Sequence, residues 1–369
     1  MGFQIKKLGK LFDMGSLGSL EGGVIGIDIG TSSLKVIQLN IGKSGATLET
    51  YGELQLGPYM GADVGKVVNL EPSKLALALV DIIREANVTA RSCALAIPHS
   101  ACFVAVAHFP TRDQTQLVSM VPVEARKYVP MAMNEVTLDW FIIPDPPRIE
   151  GAPEPTETRV LLAAIYNESL NRYRGVVQNA GIAVGSNEIE TFSVVRSSIH
   201  ESDGSILLLD LGASSTKLYI VESGILQETH RIPLGGQELT SAVGTALNLG
   251  YGEAESIKRQ MGLLSDTYDP RIGAALAPIV DRIFTETNRA LTRYERDMQI
   301  KINTIVLTGG GALLVGLLER AQATFAREVT IANPFSKVEY PAFLEETLRE
   351  AGPSFSVAMG VALRRLTEK

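Results

Sequence analysis

The most constraining feature of this chain is a motif that occurs twice. Residues 25–39 read IGIDIGTSSLKVIQL, and residues 206–220 read ILLLDLGASSTKLYI. Both contain D-x-G-x-S-S-x-K, at Asp28–Lys35 and at Asp210–Lys217. In each copy an apolar run meets an aspartate, small polar residues follow, and a second apolar run begins. That order reads as strand, tight turn, strand. No tandem repeat of solenoid length accompanies it. One hairpin repeated half a chain apart predicts two related halves that face each other.

The motif has a chemical reading. Glycine permits a sharp turn and lets a ligand approach the main chain closely. The small residues after it leave amide N–H groups and hydroxyls free for phosphate oxygens. Gly30, Thr31, Ser32 and Ser33 in the first copy, and Gly212, Ala213, Ser214 and Ser215 in the second, are the candidate cradle. A bare carboxylate beside phosphates is repelled. Asp28 and Asp210 are therefore expected to hold a bridging Mg2+ through its waters, because Mg2+ gives up its hydration reluctantly. Lys35 follows the turn and could reach a β- or γ-phosphate as a point charge. A single hairpin of this kind is compatible with an ordinary strand turn. Two facing copies clamp one polyphosphate from both sides. A third glycine loop, Gly309, Gly310 and Gly311, lies between an apolar strand and a helical segment read as running through Leu318, and it suits a nucleotide too.

Other chemistries find no support. Gly42-Lys43-Ser44 resembles the end of a Walker A loop, but position 37 is Ile where glycine is required. No G-x-G-x-x-G follows a strand, and no G-x-S-x-G is present. His99, His108, His200 and His230 show no metal-ligand spacing with Cys93 and Cys102, so a structural zinc site is not expected. Two cysteines give no disulfide framework, which fits a cytosolic setting. The net charge of −7 argues against a nucleic-acid partner. No run of about 18 apolar residues reads as a membrane span. Lys6, Lys7 and Lys10 resemble the start of an export signal, but Asp13, Gly15 and Gly18 interrupt any apolar core. The first residues read as a basic tail or a short amphipathic surface helix.

Strand and helix patterns alternate along the remainder. Ala46–Leu56, Ser92–Ile97, Phe103–Phe109, Val136–Ile143 and Arg159–Ile165 read as strands; Asn69–Asn87, Arg112–Tyr128, Ser169–Ala180 and Ser354–Leu366 read as helices. The five prolines of 144–155 mark a loop. Glu238 to about Lys301 is helical with breaks near Gly250, Gly262 and Pro270. The class is α/β.

Two D-x-G hairpins with a later GGG loop are the signature of the actin/Hsp70/sugar-kinase superfamily. The resemblance goes further. It is carried by VEARKYVPMAMNEVTLDWFII at Val123–Ile143, AGIAVGSNEIETFSVVRS at Ala180–Ser197, PLGGQELT at Pro233–Thr240, EAESIK at Glu253–Lys258, IVLTGGGALLVGL at Ile305–Leu317 and ANPF at Ala332–Phe335. In that order the motifs resemble the PilM family, actin-like cytoplasmic proteins of type IV pilus assembly that are themselves similar to the division protein FtsA. The resemblance implies a ribonuclease H-like duplicated, two-lobed actin-like fold with ATP in the cleft. It adds Gly236, Ala312, Glu255, Lys258 and Arg259 to the nucleotide-binding set. Glu190 takes the connecting position between the halves, where relatives keep a Glu or Gln near the metal and the attacking water. The residue-level alternatives are a solvated charge pair at Glu255 and Lys258 and an exposed helix-start carboxylate at Glu190. Lys217 stands where Hsp70-like members carry a further carboxylate, so the resemblance implies tight ATP binding with slow hydrolysis.

The implied subdomains are a tail at 1–22, then 1A at 23–91, 183–203 and 340–369, a 1C-type insertion at 92–182, 2A at 204–236 and 302–339, and 2B at 237–301. In PilM-like proteins the groove beside 1C receives the cytoplasmic N-terminal peptide of the membrane protein PilN. Phe103, Tyr128 and Trp140 are candidates for that groove beside ordinary core roles. The implied location is cytoplasmic, at the inner face of the cytoplasmic membrane, reached indirectly through partners that include other pilus platform proteins and self-association. Two alternatives stand beside this. An FtsA-like filament protein would end in a linker and amphipathic membrane helix, whereas this sequence stops at Lys369, soon after its last predicted helix. A sugar-kinase-type phosphotransferase would need a catalytic Asp over a sugar pocket, and none is evident.

Overall fold

A computed structural model describes residues 23–42, 45–145, 155–200, 203–264 and 269–367. The readings of the basic tail at 1–22, of Lys43 and Ser44, and of most of the 144–155 loop lie outside those residues. The first hairpin forms as expected, with β1 at Val24–Ile29, β2 at Ser33–Ile41, and β3 at Ala46–Gln55 added beside it. Helix α1, Pro72–Glu85, starts on a proline whose missing N–H costs nothing there, and buries Leu75, Leu79 and Ile82. β4, Ser92–Ile97, lies parallel to β1.

The chain then leaves this sheet. β5 at Cys102–Phe109, helix α2 at Gln114–Glu124, β6 at Val136–Ile142 and β7 at Thr158–Tyr166 make a separate antiparallel sheet of order β5-β7-β6. It has its own core around Phe109, Leu117, Val121 and Leu162. Helix α3, Asn167–Asn179, leads back to β8, Ala183–Ile189, and the first sheet closes in the order β3-β2-β1-β4-β8. Helix α4, Glu190–Ser198, packs into this lobe's core through Phe192, Val194 and Val195 and leads on to the second lobe.

The second lobe repeats the plan. β9 at Ser205–Leu211, β10 at Thr216–Glu222 and β11 at Ile225–Ile232 form the hairpin sheet. Helices α5 at Gly236–Leu247, α6 at Tyr251–Met261 and α7 at Pro270–Met298 follow. α7 is capped by Asp269, which accepts from the Arg271 N–H, and buries Ile272, Leu276, Val280 and Ile283 on one face. β12 at Thr304–Thr308, helix α8 at Leu317–Phe325 and β13 at Glu328–Ile331 complete the order β11-β10-β9-β12-β13. The two five-stranded sheets therefore share one topology. Helix α9, Glu345–Ala351, and helix α10, Ser356–Thr367, return to the first lobe, where Ala358, Met359, Val361 and Ala362 join its core.

Two boundaries differ from the sequence reading. The expected insertion includes Ser92–Ile97, but β4 pairs with both β1 and β8 inside the first sheet. α3 likewise covers that lobe, so the separate inserted sheet runs from Cys102 to Tyr166, narrower than 92–182, with one face packed on the first-lobe core through Leu161, Ala163 and Ile165. A strand's apolar pattern does not reveal which sheet it joins. The sequence pattern predicts a helix after the glycine loop running through Leu318. Instead a 3-10 turn occupies Gly310–Leu313, and the α-helix begins at Leu317. Gly316, at a φ of 80°, breaks the two apart.

Candidate functional site

The two hairpin turns close identically. Gly30 N–H donates to Ser33 O at 3.0 Å, and Gly212 N–H donates to Ser215 O at 3.1 Å. Among the described residues, the N–H groups of Thr31, Ser32, Ala213 and Ser214 take no protein acceptor. Neighbouring segments grip the loops by their carbonyls instead. Val68 N–H donates to Thr31 O, and Gly236 and Gln237 at the start of α5 donate to Gly212 O and Ala213 O. Both loops border one cleft of about 490 Å3, within the usual range for small-ligand sites.

The cleft brings together Asp28, Gly30, Thr31, Ser32, Ser33 and Lys35 from one lobe with Asp210, Gly212, Ala213, Ser214, Ser215 and Gly236 from the other. Glu190, Glu255, Lys258, Arg259, Gly309, Gly310 and Gly311 line it as well. Ala312 does not. The 3-10 turn directs its methyl group into the core of the second lobe. Gly309 holds a φ of 79°, and a Cβ there would collide with the Asp210 carboxylate and the Leu211 carbonyl.

Strand register explains the charges. Asp28 faces Lys35 across β1 and β2, and Lys35 faces Glu53 across β2 and β3. The Lys35 ammonium donates to Ser33 Oγ at 2.7 Å and lies 3.4 Å from Glu53 Oε1. In the second lobe Asp210 faces Lys217, and Lys217 faces Arg231. With a cation on its far side, Lys217 stays with Asp210 Oδ2 at 3.2 Å and reaches Glu190 Oε1 at 2.9 Å. The same oxygen of Glu190 accepts the His99 N–H at 2.7 Å. Burial by itself would raise the Glu190 pKa, but Lys217 and His99 N–H hold it below the ordinary glutamate value. Burial would lower Lys217, yet Asp210 and Glu190 push it well above the ordinary lysine value. Asp28 has no comparable partner among the described residues, and burial raises its pKa to about 6.

Glu190 does begin a helix, but it is buried, not an exposed helix-start carboxylate. Glu255 and Lys258 are likewise buried, 2.7 Å apart, with Thr240 Oγ1 donating to the same Glu255 oxygen and Arg259 Nε donating to the other at 2.6 Å. The sequence reading missed Glu53, His99 and Arg231, which also line the cleft. Glu53 and Arg231 were accessible in principle, as the residues facing each lysine once the third strand is in register. His99 carries no such signal, since it enters from the loop after β4.

The donor set fits Mg2+ in part. Among the described residues, no group of three or more His, Cys, Asp or Glu is disposed to take a metal directly. Asp28 is available to a hydrated ion. Asp210 already gives one oxygen to Lys217, which narrows the expectation that both aspartates share the metal.

A sequence profile of the type IV pilus assembly protein PilM matches residues 26–366. The chain belongs to the PilM family. The solved PilM–PilN type IV pilus biogenesis complex contains a chain similar to this PilM-family protein, with a TM-score of 0.77, 26% identity, and coverage of 93% of this chain and 98% of that one. Cell division protein FtsA of Streptococcus pneumoniae is 26% identical over 88% of this chain and 78% of its own length. MreB5 of Spiroplasma citri bound to ADP shares the fold, at a TM-score of 0.51 and 14% identity over 91% of this chain and 94% of that one. This PilM-family protein is thus an actin-like protein of type IV pilus assembly. Among its described residues no helix is long and apolar enough to cross a membrane. Of the three aromatic groove candidates, Phe103 and Trp140 are partly buried against the core of the inserted sheet, and Tyr128 is exposed.

Proposed function

We propose that this chain binds ATP between its lobes and uses the nucleotide to set their relative posture, with the grip on a membrane-protein peptide as the output. The single observation that carries this is the facing pair of loops, whose unpaired amides converge on one cleft with the glycine loop and α6 beyond them. Thr31, Ser32, Ala213 and Ser214 present N–H groups to the phosphates, and Lys35 supplies positive charge. Glu255, Lys258 and Arg259 face the ribose and ring, opposite Gly309–Gly311. Mg2+ accompanying the triphosphate would offset phosphate charge, held through its waters by Asp28. Asp210 contributes chiefly by fixing Lys217. Glu190 gives one carboxylate oxygen to both Lys217 and His99 N–H, which lowers its basicity toward water and supports slow hydrolysis.

The partner is the cytoplasmic N-terminal segment of a PilN-like membrane protein, seated beside the inserted sheet. Similarity to the chain of the PilM–PilN complex supports this, and an extended segment would gain main-chain hydrogen bonds there. Such a protein works in the cytoplasm at the inner face of the membrane, together with other platform proteins. The test is calorimetric titration of N-terminal peptides of candidate membrane proteins, with and without ATP and Mg2+. The expected result is ATP binding together with a peptide affinity that changes at least about fivefold on nucleotide loading. Absence of ATP binding, or a peptide affinity indifferent to ATP, overturns the reading. Similarity to cell division protein FtsA favours a second reading, an FtsA-like filament protein, which sedimentation of the ATP-loaded protein would reveal as polymer.

A further inference from the structure

The first repeat satisfies its lysine within its own sheet, through Glu53 on β3. The second repeat cannot, because Arg231 takes the equivalent place on β11. Lys217 therefore turns to the two carboxylates available to it. Its ammonium touches Asp210 and Glu190 together, and it is half-buried against these two buried carboxylates in the cleft. An ion bridging two carboxylates in a polyphosphate cleft is the ordinary work of a divalent metal.

We infer that Lys217 is a resident cation: its ammonium stands where a divalent ion would otherwise bridge Asp210 and Glu190. This deepens the nucleotide-binding reading of the same cleft. Three carboxylates, Asp28, Asp210 and Glu190, share the region. Lys35 pairs with Glu53 in the sheet of the other repeat, and Lys217 is the cation in contact with the Asp210 and Glu190 pair. With the ammonium present, a second cation at that position is repelled. Without it, the carboxylates are left as an uncompensated cation site. Lys217 also fixes Glu190 Oε1 at 2.9 Å, acting as a positioning residue.

The experiment uses the full chain without nucleotide, with Mg2+ alone as the probe. Thermal midpoints are measured in EDTA and in millimolar MgCl2 for the wild type, K217M and the double variant E190Q/K217M. The wild type is expected to move by less than about 1 °C, since one carboxylate acting through water binds Mg2+ weakly without phosphates. K217M is expected to gain about 3 °C or more from Mg2+, and the double variant to lose that gain. A K217M midpoint indifferent to Mg2+ overturns the inference. Should K217M fail to fold, the wild type alone decides: a gain of about 3 °C from Mg2+ means that a divalent site already coexists with the lysine, and the inference fails. None of these readouts needs ATP. A protein that shows them yet binds no nucleotide leaves this inference standing and overturns the proposed function instead.

Discussion

At the scale of single residues, the most consequential group outside the cleft is Glu188. It is fully buried, and it accepts from both terminal nitrogens of Arg196 at 2.6 Å and from Ser193 Oγ at 2.7 Å. Arg364 of α10 lies 3.8 Å away. Burial alone would raise the Glu188 pKa, but Arg196 and Arg364 hold it below the ordinary glutamate value. A carboxylate depressed in the folded state adds stability above its unfolded pKa, and that stability is lost as pH falls through the folded value. Glu188→Gln should therefore cost about 3 kcal/mol at neutral pH, because Arg196 is left uncompensated in the interior. The loss should shrink in acid. Urea unfolding at pH 7 and at about pH 4 checks both the size and the direction. At this same scale the repeated motif was legible, since D-x-G-x-S-S-x-K dictates the turn locally. The partner of Lys217 was not. It depends on Arg231 and Glu190, which no local pattern links to the motif.

At the scale of elements, α10 is the piece that binds the first lobe together. Close approach is what permits it. A Cβ on Gly360 would overlap the Ser193 carbonyl of α4, and a Cβ on Gly26 of β1 would overlap the Ala358 carbonyl of α10. Both glycines therefore set how near two backbones can come. Gly360→Ala should cost about 2 kcal/mol or more, since the neighbouring atoms are main chain and yield only by shifting a whole helix. A lowered denaturation midpoint with unchanged slope would be the signature. The terminal helix itself was readable from its apolar spacing. Its docking was not, because a glycine in a helical pattern signals a helix cost as readily as a contact. The sheet that Ser92–Ile97 joins is hidden from the sequence for a related reason: its apolar run suits either sheet, and pairing with β1 decides.

At the scale of the whole molecule, the inserted sheet touches both lobes. It grows out of the first lobe, and Arg159 on β7 donates to Gln227 on β11 of the second. Other ties cross the cleft, including Val67 N–H to the Gln237 side chain at 3.1 Å and Tyr251 OH to Gly65 O at 3.2 Å. A nucleotide that moves the lobes would therefore strain or relieve the Arg159 contact, and a peptide beside the inserted sheet would feel it. Coupling of this kind is reciprocal in free energy. Arg159→Ala should leave ATP affinity within about twofold while removing most of the ATP dependence of peptide binding. Titrating peptide into the variant with and without ATP checks this. Equal coupling in variant and wild type would mean that the lobes communicate by another route.

The sequence by itself determined the paired turns, the α/β class, the duplication and most of the cleft, because glycine geometry, small-residue loops and apolar runs act over a few residues. Only the tertiary structure decided which sheet β4 joins, where Ala312 points and which cation meets which carboxylate. Those outcomes depend on strand register and on side chains that become neighbours only after the two lobes close. The motif Asp28–Lys35 and its echo at Asp210–Lys217 are alike in sequence, and they differ in charge pairing because Glu53 faces one lysine and Arg231 the other.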